Sequence, residues 1–174
     1  KHPIPANNHV DTFLDHGVEH LWTYYCCGQG EDVSNRFMAM PSARNRILGA
    51  QLFKYHIEGF LQWGYNFWYS MLSKRPIDPY AETGAEDAFP AGDAFLVYPG
   101  PDGEPVPSIR QLVFHEGLQD LRALQLLEQK LPHEAIVALL EQDGAVKFKE
   151  YPRTSQAVLA MRERVNRKIQ ELWG

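Results

Sequence analysis

Three short aromatic and apolar runs, each parted from the next by more residues than a hairpin needs, constrain this chain most. They are Glu19 to Cys26 (EHLWTYYC), Phe60 to Trp63 (FLQW) and Phe95 to Tyr98 (FLVY), all of a composition that favours strands. Between the first two, Ser42 to His56 places Ile47, Leu48, Leu52 and Tyr55 on one helical face. After the third comes the turn signal Pro99-Gly100-Pro101-Asp102-Gly103. Ser108 then caps a helix to about Leu131, with Phe114, Gly117, Leu118, Leu121, Leu124 and Leu131 along one stripe. Strands alternating with helices predict parallel pairing through crossover connections, hence an α/β fold. A parallel sheet needs cover on both faces, and Phe60 to Trp63 reads as buried on both. Three parallel strands are few for a closed architecture. The expectation is therefore the C-terminal portion of a (β/α)8 barrel, with a small open parallel sheet as the alternative.

The remaining segments fit around this frame. Asn7 and Asn8 can cap a short helix carrying Val10, Phe13 and Leu14, ended by Gly17, and Gly59 is placed as the stop of the Ser42 helix. Residues 65–94 show no clear periodicity, and a loop of that length in a compact domain is usually functional. Pro132 opens a short helix ending near Gly144. A last helix from Thr154 to Trp173 repeats Val158, Met161, Val165, Ile169 and Leu172 at helical spacing. The predicted division is 1–131 for the partial barrel and 132–174 for a helical extension packed on it.

Composition removes several function classes. Acidic residues number 22 against 17 basic ones, a formal net charge of −5, which argues against a nucleic-acid partner. No apolar run approaches the roughly 20 residues that span a bilayer, so no membrane partner is expected. Cys26 and Cys27 are adjacent; they read as strand residues facing opposite sides rather than as a disulfide. No Cys-x-x-Cys or Cys/His cluster occurs, and His9, His56 and His115 read as ordinary surface or satisfied residues. Neither a metal nor a cofactor is expected.

The aromatic residues suggest a ligand. Trp22, Tyr24 and Tyr25 close the first strand, and Trp63, Tyr65 and Asn66 follow the second. In parallel sheets ligands sit at the carboxyl ends of strands. A sugar offers an apolar C–H face for stacking and a rim of hydroxyls for amide and carboxylate groups. Asp93, following Gly92 just before the third strand, is the carboxylate expected at an exposed, fixed position; a turn residue capping its own backbone is the competing reading.

The ordered runs LWTYYCC (21–27), NRFMAMPSARNRILG (35–49), GFLQWGYNFWYS (59–70), FPAGDAFLVYPGPDG (89–103) and PSIRQLVFHEGLQDLRALQLLE (107–128) closely resemble the C-terminal half of the catalytic domain of glycoside hydrolase family 123, and in particular a large bacterial branch attached to it. The resemblance covers about Ile4 to Glu128. It implies a barrel fold and hydrolysis of glycosides of N-acetylated amino sugars, N-acetylgalactosamine among them. It also implies a substrate-assisted retaining mechanism: the substrate's acetamido oxygen attacks the anomeric carbon, an Asp orients that group, and an adjacent Glu protonates the leaving oxygen. By resemblance Trp22, Tyr24, Tyr25, Trp63, Tyr65 and Asn66 form the wall of the sugar site. Asn35, Arg36, Arg44 and Asn45 sit in a shared motif, and structural anchoring, including ion pairs with Asp11 or Asp15, is at least as good a reading of them.

One departure matters. No Asp-Glu dipeptide occurs in the chain; Glu31-Asp32 and Glu86-Asp87 run in the opposite order. The pair is expected upstream of Lys1, no residue is assigned to acid or orienting roles, and this chain alone is expected to be inactive. A non-catalytic carbohydrate-binding protein of the same fold is the alternative. A partial barrel would also leave strand edges unpaired, with Leu21, Phe60, Leu61, Phe95 and Val97 too apolar to stay wet, which predicts self-association as a twofold dimer.

Overall fold

The structure, a computed structural model, describes residues 2–174. The alternation of strands and helices is present, with a smaller sheet than expected. Strands β1 (Trp22–Tyr25) and β2 (Gly59–Gln62) pair in parallel, with Trp22 opposite Gly59 and Tyr25 opposite Gln62. The chain between them supplies the helices α2 (Ala43–Arg46) and α3 (Leu48–Lys54). The N-terminal segment, read as a loop, runs along the far side of β1. Trp22 N–H donates to the Pro3 carbonyl, Asn7 N–H donates to the Tyr24 carbonyl, and Ala6 forms a parallel bridge with Tyr24. Helix α1 (Val10–Asp15) connects that segment to β1; its first turn has no side-chain cap from Asn7 or Asn8.

The third expected parallel strand is corrected. Residues 93–97 turn back antiparallel to 65–67: Phe67 N–H donates to the Ala94 carbonyl, Leu96 N–H donates to the Tyr65 carbonyl, and Asn66 bridges Phe95. Strand β3 (Val97–Pro99) then pairs antiparallel with β4 (Pro105–Pro107) in a separate two-stranded sheet. The cause is local. The proline- and glycine-rich turn at 99–103 folds the chain back as a hairpin, closed by Gly100 N–H donating to the Glu104 carbonyl at 2.8 Å.

Two clusters form the core. One lies between the β1–β2 sheet and its helices: Val10, Leu21, Tyr25, Leu48, Leu52, Ile57 and Phe148, with Phe60 and Phe114 packed against it. The other joins α2, α3 and α4 (Ile109–Glu128) to the tail helices α5 (His133–Leu140) and α6 (Ser155–Trp173), through Ile47, Phe53, Leu124, Leu127, Ile136, Leu140, Val158, Met161 and Val165. Helix α4 starts where Ser108 Oγ accepts from Gln111 N–H at 3.3 Å. The α6 cap is Thr154, whose Oγ1 accepts from Ala157 N–H. The expected stop at Gly59 is corrected: α3 ends at Lys54, and Gly59 opens β2.

Strand alternation assigns the faces. Thr23, Tyr25 and Phe60 turn toward the helices, Phe60 lying 5.8 Å from Phe114. On the opposite face Trp22 is 37% and Leu61 40% exposed, so β2 is covered on one side, not on both as expected. No helix among the described residues is long and apolar enough to cross a membrane.

Candidate functional site at the carboxyl edge of the parallel sheet

Past Tyr25, Cys26 and Cys27 leave the strand as free thiols; the expected strand placement fails because β1 ends one residue earlier. Gln29 holds the turn, accepting from Cys26 N–H at 2.9 Å. Asn35 reaches back to the same turn through its Nδ2, which donates to the Cys26 carbonyl at 3.0 Å. Its Oδ1 accepts from Arg36 N–H at 2.7 Å. These bonds send the Arg36 side chain inward, where it is fully buried.

Arg36 ties three segments together. Its Nη2 donates to the carbonyls of Trp63 (3.0 Å) and Asp93 (2.6 Å). Its guanidinium carbon stands 4.9 Å from the centre of the Tyr25 ring. Its Nη1 lies 3.4 Å from Asp93 Oδ1, an ion pair with no solvent exposure on either side chain. Gly64 permits this closeness: with φ +62, a Cβ there would sit 2.7 Å from the Asp93 carbonyl oxygen.

Asp93 is corrected from exposed to buried. It caps nothing in its own turn, and burial pushes its carboxyl above the usual carboxylate range, opposed by Arg36, then by the indole N–H of Trp63 and the backbone N–H of Cys27. Burial likewise lowers the Arg36 guanidinium. Both Asp93 oxygens, Trp63 Nε1, Arg36 Nε and Arg110 Nη2 are buried without an aligned hydrogen bond.

The other expected wall residues divide between locations. Trp63 packs edge-on to Phe89 at 5.2 Å. Tyr65, 45% exposed, accepts at its hydroxyl from Gln111 Nε2 at 2.6 Å, and Asn66 is exposed beside it. Tyr25 has no exposure; its hydroxyl donates to Asn45 Oδ1 at 3.2 Å, so it is a floor beneath Arg36 rather than a contact surface. Burial raises its pKa, Arg36 opposing. Trp22 lies at the opposite end of β1, about 10 Å along the strand from Tyr25. It and the half-buried Tyr24 belong to the other face, and Trp22 neighbours His2 at 6.4 Å. The structure thus brings Trp63, Asp93 and Tyr25 together, sets Tyr65 and Asn66 beside them, and separates Trp22 and Tyr24.

Residues 1–127 match the family described as Glycoside hydrolase 123, catalytic domain. The chain belongs to that family. No curated protein matches it. This glycoside hydrolase-like assignment covers everything from the N-terminal segment through nearly all of α4, including the whole Arg36–Asp93 cluster, and leaves the tail helices outside. Membership implies a carbohydrate substrate.

The shared motif residues act as anchors in this glycoside hydrolase domain. Arg44 Nη2 donates to the carbonyls of Gly30, Glu31 and Val33, and its Nε donates to the Tyr151 hydroxyl. Asn45 Nδ2 donates to the Arg110 carbonyl. The ion pairs suggested with Asp11 or Asp15 do not form; Arg36 pairs with Asp93, and neighbouring Arg46 with Asp120 at 2.7 Å. Sequence reading placed Arg36 in the shared motif without linking it to Asp93, and missed Arg110 as a partner of the site. Arg110 Nη1 donates to the carbonyls of Gly92 and Phe95, and its only signal was a charged residue on the inner side of an amphipathic helix.

Proposed function

We infer that this chain supplies the sugar-binding wall of a glycoside hydrolase acting on glycosides of N-acetylated amino sugars, by a substrate-assisted retaining mechanism. The observation that carries the reading is the catalytic-domain match over residues 1–127, because it spans the edge where Trp63, Tyr65, Asn66 and Asp93 gather. Trp63 and Tyr65 offer ring faces to a pyranose, and Asn66 offers donors and an acceptor to its hydroxyls or acetamide. Asp93 is a positioning residue in this reading: it pairs with Arg36, whose Nη2 in turn holds the Trp63 carbonyl. In substrate-assisted chemistry the nucleophile is the substrate's own acetamido oxygen. Its high effective molarity leaves the protein to supply orientation and a proton. The chain has no Asp-Glu dipeptide, and we assign neither carboxylate role within it. Residues 1–131 form the catalytic-domain unit in this reading, and 132–174 form an extension docked on α2–α4.

The missing Asp-Glu pair favours one second reading, a carbohydrate-binding protein of the same family without catalysis. Titration with N-acetylgalactosamine followed by tryptophan fluorescence tests the common ground. A saturable change, lost in Trp63→Ala, is expected; no response to any N-acetylhexosamine contradicts the reading. The 174-residue chain is also expected not to turn over an aryl N-acetylgalactosaminide, because a missing acid and a missing orienting group each cost orders of magnitude in rate. Appreciable turnover would show that the catalytic carboxylates lie within these residues.

A further inference from the structure

Two histidines far apart in sequence meet at the seam between the family domain and the tail. The rings of His56 and His133 stack with centroids 3.9 Å apart. His133 is the first residue of α5 and is held on several sides. Phe53 lies 4.8 Å from its ring, Nε2 is 3.0 Å from the Lys54 carbonyl oxygen, and Nδ1 is 2.9 Å from Glu128 Oε1. The nitrogen and oxygen ligand atoms of His56, Glu128 and His133 all lie within 4.8 Å of one another.

The hydrogen-bond chemistry at His133 is directional. A backbone carbonyl only accepts, so Nε2 carries a hydrogen and donates to Lys54. The other nitrogen then faces a carboxylate, which also accepts when ionised. A positive centre has to lie between Nδ1 and Glu128, either a second ring proton or a metal cation. Metal-bound histidines typically donate their other N–H to a backbone carbonyl, which fixes ring orientation and tautomer. A proton bridge makes no use of a third donor, yet His56 is brought there from the end of α3, at φ +51.

We propose that His56, Glu128 and His133 form a binding site for a divalent transition metal of the zinc type, and that the metal clasps the helical tail to the catalytic-family domain. Two neutral imidazoles and one carboxylate match the donors such ions take, whereas calcium and magnesium favour oxygen ligands throughout. Bonds of about 2.0–2.2 Å require the ligand atoms to close from their present spread. His56 and Glu128 are exposed and His56 would turn out of its stack to close on the ion, while the half-buried His133 is the fixed member. A fourth position remains for water. The three ligands come from the chain just after α3, the last turn of α4 and the first turn of α5, so occupancy ties the tail to both of the longer family-domain elements it meets here. Binding to the folded state alone raises stability by mass action.

The test is calorimetric titration of zinc ion into the tag-free, metal-stripped 174-residue chain, with thermal unfolding followed in parallel. One zinc per chain and a higher melting temperature are expected. His56→Asn removes one ligand with a residue that tolerates left-handed backbone; it should weaken zinc at least tenfold while leaving metal-free melting unchanged. Glu128→Gln, at an exposed position, should do the same independently. His115→Asn is the control, since His115 is exposed thirteen residues before Glu128 on the same helix and pairs with Gln119 at 3.1 Å; it should leave zinc affinity intact. Absence of stoichiometric zinc binding by the parent chain overturns the proposal and leaves His133 as a hydrogen-bond partner of Glu128 alone. Undiminished binding by both His56→Asn and Glu128→Gln overturns it equally.

Discussion

Asp93 and Arg36 together decide how the site edge behaves. Desolvation pushes the carboxyl up and the guanidinium down, so a full charge on either is costly although each faces its opposite. The consequence for stability has a definite sign. A carboxyl whose folded-state pKa is raised stays protonated in the folded protein when the unfolded chain has already lost its proton. Its contribution is complete below the ordinary value near 4 and is lost as pH rises through the folded value. In Asp93→Asn, Arg36 keeps Asn35 Oδ1 and the carbonyls of residues 63 and 93 as acceptors, so the variant should fold. Urea unfolding from pH 4 to 8 should show parental stability falling relative to Asp93→Asn as pH rises, by no more than about 1.4 kcal/mol per pH unit for one proton. A difference that rises with pH would mean that Arg36 outweighs burial. Residue-level legibility was uneven for a physical reason. Asp93 stands out because Gly92 before a strand points to an exposed, fixed position, but its burial depends on Arg36, which arrives from a distant loop. Trp22 and Tyr25 looked alike in sequence, yet the strand's period of two sends them to opposite faces.

At the scale of elements, two glycines set how closely α3 and α4 approach each other. Gly49 and Gly117 face each other there: a Cβ on Gly49 would sit 1.8 Å from the Gly117 carbonyl oxygen, and one on Gly117 would sit 2.7 Å from that of Arg46. The obstacle is backbone on both sides and cannot rotate away. Gly49→Ala should therefore destabilise the chain by about 1–3 kcal/mol or more, as overpacking does, despite alanine's better helix propensity. Chemical denaturation checks this, and a neutral or stabilised variant would contradict the close crossing. The long helices were legible because their signals are local: Ser108 and Thr154 cap them, and apolar periodicity runs their length. Residues 95–98 were read as a strand correctly in kind and wrongly in partner. Strand propensity says nothing about direction, which the hairpin at 99–103 imposes. Residues 3–7 were missed because Pro3 and Pro5 suppress the strand signal while still allowing edge pairing beside β1.

The whole molecule is a mixed α/β unit whose small parallel sheet is covered by helices on one face, with the tail completing the core on the far side of α4. Leu21, Phe95 and Val97, expected to drive association, are buried within one chain. Self-association, if it occurs as expected, would rest on Trp22 and Leu61 and on β2, which among the described residues has no strand beyond it in the sheet. Two copies meeting edge to edge across a twofold axis would pair β2 with its mate and bury that face. Sedimentation velocity at micromolar concentration is expected to show a species larger than the 19.9 kDa monomer; a single monomer boundary would contradict it. We propose that sugar binds at the carboxyl edge of the sheet, against Trp63 and Tyr65 and above the Arg36–Asp93 pair. A crystal structure of the chain with N-acetylgalactosamine decides it. The pyranose ring is expected against Trp63 or Tyr65 with its polar groups reaching Asn66; a sugar seated instead on the Trp22–Leu61 face, with that edge unvisited, would contradict it.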